Sequence, residues 1–168
     1  PLGENPNWFG GTNPVSIDAA FRLDPLSAVM LLFVTLIGTL IHVYSVGYMG
    51  HDEGYGRFFA YLNLFMFSML VLVLANNFML MFVGWEGVGF CFYLLIGYYF
   101  ERKSASDAGK KAFIVNRIGD VGFVLGIFLI FETFRSLDFG EVFRRVATSY
   151  SVETGAGVLT AIGLLLFI

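Results

Sequence analysis

Four side chains of this 168-residue sequence are of types that exchange or steer protons, yet sit in apolar surroundings: Glu86, Arg117, Asp120 and His42. Glu86 is the one charge in the 22 residues of "MLMFVGWEGVGFCFYLLIGYYF", Met79 to Phe100. At about 1.5 Å per residue it lies roughly 12 Å into a helix that starts near Phe78, close to the middle of a hydrocarbon core about 30 Å thick. A glutamate is too short to reach the interface from that depth. Left ionised and unpaired in lipid, it is costly. Two states remove the cost: a neutral acid, or an ionised acid beside a buried cation. A carboxyl that passes between these states takes up and releases a proton. A carboxyl fixed in one of them is a helix–helix hydrogen bond, and both readings stay open.

Arg117 and Asp120 are three residues apart, so a helix puts them on one face. Asn116 and Asp120 are four apart and can also meet. Central Arg and Asp each cost roughly 2.5–3.5 kcal/mol on insertion scales, and pairing lowers that cost. The pair is either a structural ion pair or a modulator of a neighbouring proton site. Thr35, Thr39 and His42 follow one helical stripe. A histidine there can relay protons, because its ordinary pKa of about 6.5 is close to neutrality, or it can be a hydrogen-bonded structural residue. Asn63 reads as a residue that holds two helices together. His51, Asp52 and Glu53 read as solvated surface, and Asp24 as an acidic residue at a helix start. Gly84, Gly87, Gly89 and Gly97 surround Glu86, and Gly119, Gly122 and Gly126 flank Asp120. Glycine permits close backbone approach, so these faces are expected to be buried in protein.

The elements that must position these groups are membrane helices. The chain is 57% hydrophobic with a mean hydropathy of +0.76, above the roughly 45–50% apolar usage of soluble domains. The pattern predicts an all-α, polytopic transmembrane helix bundle with four complete spans, near 26–48, 58–75, 78–100 and 112–134. A fifth, truncated span covers 157–168. Residues 1–25 are expected outside the membrane on the periplasmic side, 101–111 as a charged loop, and "FGEVFRRVA" as a short amphipathic surface helix. The first residue, Pro1, and the apolar end at Ile168 suggest a piece of a longer chain. Alternating sides put Arg57, Arg102, Lys103, Lys110 and Lys111 on one face, which the bias of basic residues places in the cytoplasm.

Several function classes are excluded. A net charge of −3 offers no basic surface for nucleic acid. One cysteine, Cys91, makes neither an intrachain disulfide nor a zinc cluster. The sequence has no Gly-rich dinucleotide fingerprint and no Cys cluster for iron–sulfur, so no cofactor is expected on this chain.

The same residues carry a resemblance. "FVGWEGVGFCFYLLIGYYF", "KKAFIVNRIGDVGF", "LIHVYSVGYM" and "GYGRFFAYLNLF" resemble the large antiporter-like membrane subunit of respiratory complex I. That subunit is called NuoL in bacteria and NADH dehydrogenase subunit five in mitochondria. The resemblance covers roughly residues 15–140. It implies a partial antiporter-like repeat, the first three helices of a five-helix unit and the start of the fourth. Glu86 matches the family's key glutamate, Arg117 and Asp120 its arginine and aspartate on the next helix, and His42 falls on an earlier one. It further implies proton translocation coupled to quinone reduction through an intramembrane Glu–Lys switch, whose lysine lies beyond Ile168. The partners implied are the lipid bilayer and the other membrane subunits of complex I. NADH, FMN, iron–sulfur clusters and quinone would belong to the parent complex. The location implied is the bacterial inner membrane. The competing readings are an Mrp-type Na⁺/H⁺ antiporter, a membrane-bound hydrogenase subunit, and a structural membrane anchor.

Overall fold

The structure, a computed structural model, describes residues 19–149 and 156–167. Six helices follow in order: α1 (Pro25–Tyr48), α2 (Tyr55–Leu74), α3 (Phe78–Ile96), α4 (Lys103–Phe134), α5 (Phe139–Ser149) and α6 (Ala156–Phe167). Helices α1 to α4 are long and apolar enough to cross a membrane. They pack in sequence order, α1 on α2, α2 on α3 and α3 on α4, and α6 then packs on α4. Most of the segment expected outside the membrane at 1–25 lies outside the described residues.

Local chemistry sets the ends. Helix α1 opens on a capping box: Ser27 N–H donates to Asp24 Oδ1 and Asp24 N–H to Ser27 Oγ, each at 2.8 Å, with Pro25 at the first helical position. Each side chain thus satisfies a backbone donor that the helix start leaves unpaired. Asn77 caps α3 through its Oδ1, which accepts from Leu80 N–H at 2.8 Å. Asn76 and Asn77 form the expected turn, and two other segments join it. Arg22 N–H donates to Leu74 O, Phe78 N–H to Leu137 O and Phe139 N–H to Asn76 O. One end of the bundle is therefore tied by backbone hydrogen bonds between parts of the chain distant in sequence.

Helix α4 departs from expectation. The charged stretch 101–111 was expected as a loop, but the helix begins at Lys103. Its Lys, Ser and Ala residues tolerate a helix, and 32 residues at about 1.5 Å each exceed the roughly 30 Å core. The charged first turns can thus project past the bilayer while the apolar remainder crosses it. Helix α3 ends at Ile96 rather than Phe100, with Gly97 as its C-cap and a turn following. The amphipathic stretch is helical as α5, and Arg145 Nη1 donates to Phe134 O at 2.7 Å, close to the end of α4.

Small residues bring α2 and α3 together. A Cβ on Gly84 would stand 2.5 Å from Leu72 N, and one on Gly87 would stand 2.5 Å from Ser68 Oγ. Cys91 is fully buried. A buried cluster of Phe78, Phe123, Ile127, Ile130, Phe134 and Val142, among others, ties α3, α4 and α5 at the end that holds the Asn76–Asn77 turn.

Candidate proton-transfer site

Helix α3 presents two working faces. Gly84 and Gly87 meet α2. Phe82, Trp85, Glu86 and Gly89 meet α4, a spacing of three, one and three that forms one helical stripe. Their counterparts on α4 follow a similar stripe: Phe123 stacks on Phe82 and Trp85, Asp120 bonds Trp85, Arg117 bonds Glu86, and Asn116 lies beside Gly89. The glycine contacts with α2 fix α3, and α3 in turn fixes where Glu86 meets α4.

Arg117 is shared between two carboxylates. Its Nη1 lies 2.6 Å from Glu86 Oε2 and 3.5 Å from Asp120 Oδ2. Two oxygens reached from one nitrogen at those distances stand within about 6 Å of each other. Glu86 and Asp120 would repel strongly without the guanidinium between them. The Arg117 guanidinium also lies 4.8 Å from the Phe113 ring centroid, over its face, a contact that orients the cation. Side-chain exposure falls from 45% at Arg117 to 24% at Glu86 and 10% at Asp120, so Asp120 is innermost. The group opens on a cleft of about 330 Å³ whose other walls are Phe82, Val121, Val124 and Leu125.

The sequence pattern alone joins Arg117 to Asp120. The structure adds Glu86 as the nearer partner, 2.6 Å from Arg117 Nη1. His42 stands elsewhere. It is on α1, its ring tilted against Phe59 of α2 at 6.1 Å, and its Nδ1 is 2.7 Å from Gly38 O. With Nδ1–H donating to that carbonyl, Nε2 is a buried acceptor with no hydrogen-bond partner among the described residues. The stripe expected with it is satisfied within its own helix: Thr35 donates to Leu31 O at 2.8 Å and Thr39 to Thr35 O at 2.7 Å. Asn63, expected to bridge helices, donates to Phe59 O of its own helix.

Two contacts escape the sequence reading. Trp85 Nε1–H donates to Asp120 Oδ1 at 2.9 Å. A tryptophan beside the only acid of an apolar span was the available signal. Asp52, expected as solvated surface, also ties the α1–α2 connection to the turn after α3. Gly54 N–H and the Tyr98 hydroxyl donate to its Oδ1 at 2.7 and 2.9 Å, and the Tyr99 hydroxyl to its Oδ2 at 3.2 Å. The Gly54 N–H, then Tyr98, hold the Asp52 carboxyl below its ordinary range. Burial, then the bond to Asp52, pushes the Tyr98 hydroxyl above its own.

Comparison with known families matches both parts of the chain. Residues 8–59 match the N-terminal segment of NADH-ubiquinone oxidoreductase (complex I) chain 5. Residues 75–168, which hold α3, α4 and the shared arginine, match the NADH:quinone oxidoreductase/Mrp antiporter transmembrane domain. The chain belongs to the NADH:quinone oxidoreductase/Mrp antiporter family. Within that family it is 48% identical over 154 residues to NADH-quinone oxidoreductase subunit L of Mycobacterium tuberculosis, covering 92% of this chain and 24% of the relative. It is 45% identical over 154 residues to the subunit L of Campylobacter jejuni, with the same coverage. It is 44% identical over 148 residues to NADH-ubiquinone oxidoreductase chain 5 of Neurospora crassa, covering 88% of this chain and 20% of the relative. The chain thus spans about a quarter of the length of these antiporter-family relatives.

Proposed function

We propose that this chain is the part of a proton-translocating membrane subunit of NADH:quinone oxidoreductase that carries its switchable carboxylate, Glu86. The observation that supports the reading is one guanidinium nitrogen between two carboxylates near the middles of α3 and α4, closer to Glu86 than to Asp120. Unit charges about 4 Å apart interact by about 4 kcal/mol at an effective dielectric near 20. That is about a thousandfold in a protonation equilibrium, enough to decide whether a carboxylate keeps or refuses a proton. With both carboxyls ionised, Glu86 and Asp120 would set two negative charges against one positive, and the site would retain attraction for a further cation. A lysine on a later helix would supply it. When that lysine approaches, Glu86 is held ionised. When it withdraws, its own proton is easier to lose to the next site.

Both bacterial relatives described above are named as quinone oxidoreductase subunits, which favours coupling to quinone reduction over Na⁺/H⁺ exchange. Electron transfer would then take place on other subunits, which would hold FMN and the iron–sulfur clusters and bind NADH and quinone. The chain would work within a bacterial inner membrane, against the complex's other membrane subunits. Arg117 and Asp120 would set the balance at Glu86. His42, on a separate helix pair, would act as a relay through Nε2, which has no hydrogen-bond partner among the described residues. The test is Glu86→Gln in the full-length subunit of the assembled complex, reconstituted in proteoliposomes. Assembly should persist and proton translocation should fall at least about tenfold; undiminished translocation would sink the proposal.

A further inference from the structure

We infer that Trp85 is a positioning residue: its indole N–H holds the Asp120 carboxyl and so lets Arg117 sit closer to Glu86. This rests on the proposed role of Glu86. Asp120 is the innermost of the three charged groups, and a buried carboxylate needs donors. Trp85 supplies one to Oδ1 at 2.9 Å, while Arg117 stands off Oδ2 at 3.5 Å. An indole N–H donates but has no acceptor and no accessible ionisation. It therefore stabilises the anion without adding a charge or offering a proton site of its own. Arg117, relieved of that task, sits 2.6 Å from Glu86.

The indole is itself held. It stacks on Phe123 with ring centroids 5.9 Å apart and planes 17° from parallel, and Phe123 stacks in turn on Phe82 at 5.6 Å. Phe123 is buried in the α3–α4–α5 cluster. The N–H is thus aimed by a stack of three rings rooted in the core. Neighbouring positions of one α3 turn divide the work: Glu86 carries the switchable charge and Trp85 fixes the charge facing it from α4. Without the indole, Asp120 draws more strongly on Arg117, which already stands 3.5 Å from its Oδ2. The guanidinium then moves off Glu86, and a carboxylate that loses its cation accepts a proton more readily.

The experiment is Trp85→Phe in the full-length subunit within the assembled complex, with proton translocation measured across pH in proteoliposomes. Phenylalanine keeps an aromatic ring for the stack and removes the N–H. The acid limb of the profile should move to higher pH by about one unit, the scale of one charge-assisted hydrogen bond. The same substitution in an Asp120→Asn background should add no further shift, because the acceptor no longer carries the charge. An unmoved acid limb, an equal shift with and without the Asp120 carboxylate, or loss of assembly in Trp85→Phe would each overturn the inference and leave Trp85 a packing residue. The Glu86 reading is judged separately: it stands if Glu86→Gln lowers translocation at least about tenfold, whatever Trp85→Phe does.

Discussion

Arg117 lies nearer to Glu86, on another helix, than to Asp120, one turn away on its own: 2.6 Å against 3.5 Å from the same Nη1. The longer-range contact wins because the glycine face of α3 seats that helix against α2 and turns Glu86 toward α4. An arginine can serve two carboxylates from its fork of five donors, whereas a lysine is a compact point charge.

Arg117→Lys should therefore be a poor replacement. In the assembled complex it should keep the net charge and the fold but lower proton translocation roughly tenfold, the cost of one charged hydrogen bond. Arg117→Ala should lower it further and reduce assembly, since it leaves two close carboxylates with no cation. Translocation per quinol formed, measured in proteoliposomes for both variants, checks the order; equal activity of the lysine variant and the parent would refute it.

Gly84→Ala tests the packing that aims Glu86. The new Cβ would meet the Leu72 backbone, at 2.5 Å from N and 2.6 Å from Cα. Backbone cannot rotate away, so α3 must shift from α2, at roughly 1–3 kcal/mol. Gly89→Ala should cost far less, because its nearest neighbour is Asn116 Nδ2 at 3.6 Å, an ordinary contact. Thermal unfolding of the purified full-length complex should separate the two, with Gly84→Ala the less stable.

Much of this arrangement was legible in the sequence, for reasons that differ by residue. Long apolar runs specify membrane helices because lipid forces backbone groups to pair within the helix, and α1 to α4 follow those runs. Glu86, Arg117 and Asp120 stood out because charge is costly in such runs. The pairing of Arg117 with Glu86 was not legible, because spacing reports neighbours on one helix and says nothing of which helix packs alongside. Trp85 was hidden for a related reason: in an apolar span its ring is ordinary, and only the position of Asp120 shows its N–H at work. Lys103 to Lys111 misled because charge was read as loop, whereas a membrane helix can run on into water.

The tie between Asp52 and Tyr98 predicts a pH dependence outside the membrane. The Asp52 carboxyl is held below its ordinary range by Gly54 and Tyr98. A group with a lowered folded value contributes stability above its unfolded value, and that stability is lost as pH falls through the lowered one. Amide exchange in residues 49–54 and 97–102, corrected for intrinsic rates, should show full protection near neutrality and a loss below about pH 4. Tyr98→Phe should reduce protection already at neutral pH and flatten the acid dependence. Acid-insensitive protection in the parent protein would count against it.

Helix α5 supplies the last test. Arg145 is anchored twice: its Nη1 donates to Phe134 O at 2.7 Å and its Nε to Glu141 Oε1 at 2.6 Å. Arg144 is 70% exposed and pairs with Glu141 alone among the described residues. Exposed ion pairs contribute little, while Arg145 adds a charge-assisted hydrogen bond to a backbone carbonyl at the end of α4. Arg145→Ala should therefore loosen α5 from the end of α4, speeding amide exchange across residues 139–149 roughly tenfold. Arg144→Ala should leave exchange close to the parent rate. Equal effects of the two substitutions would mean that α5 is held by its apolar face alone, through Val142 and Phe139, and that the Phe134 carbonyl contact adds nothing measurable.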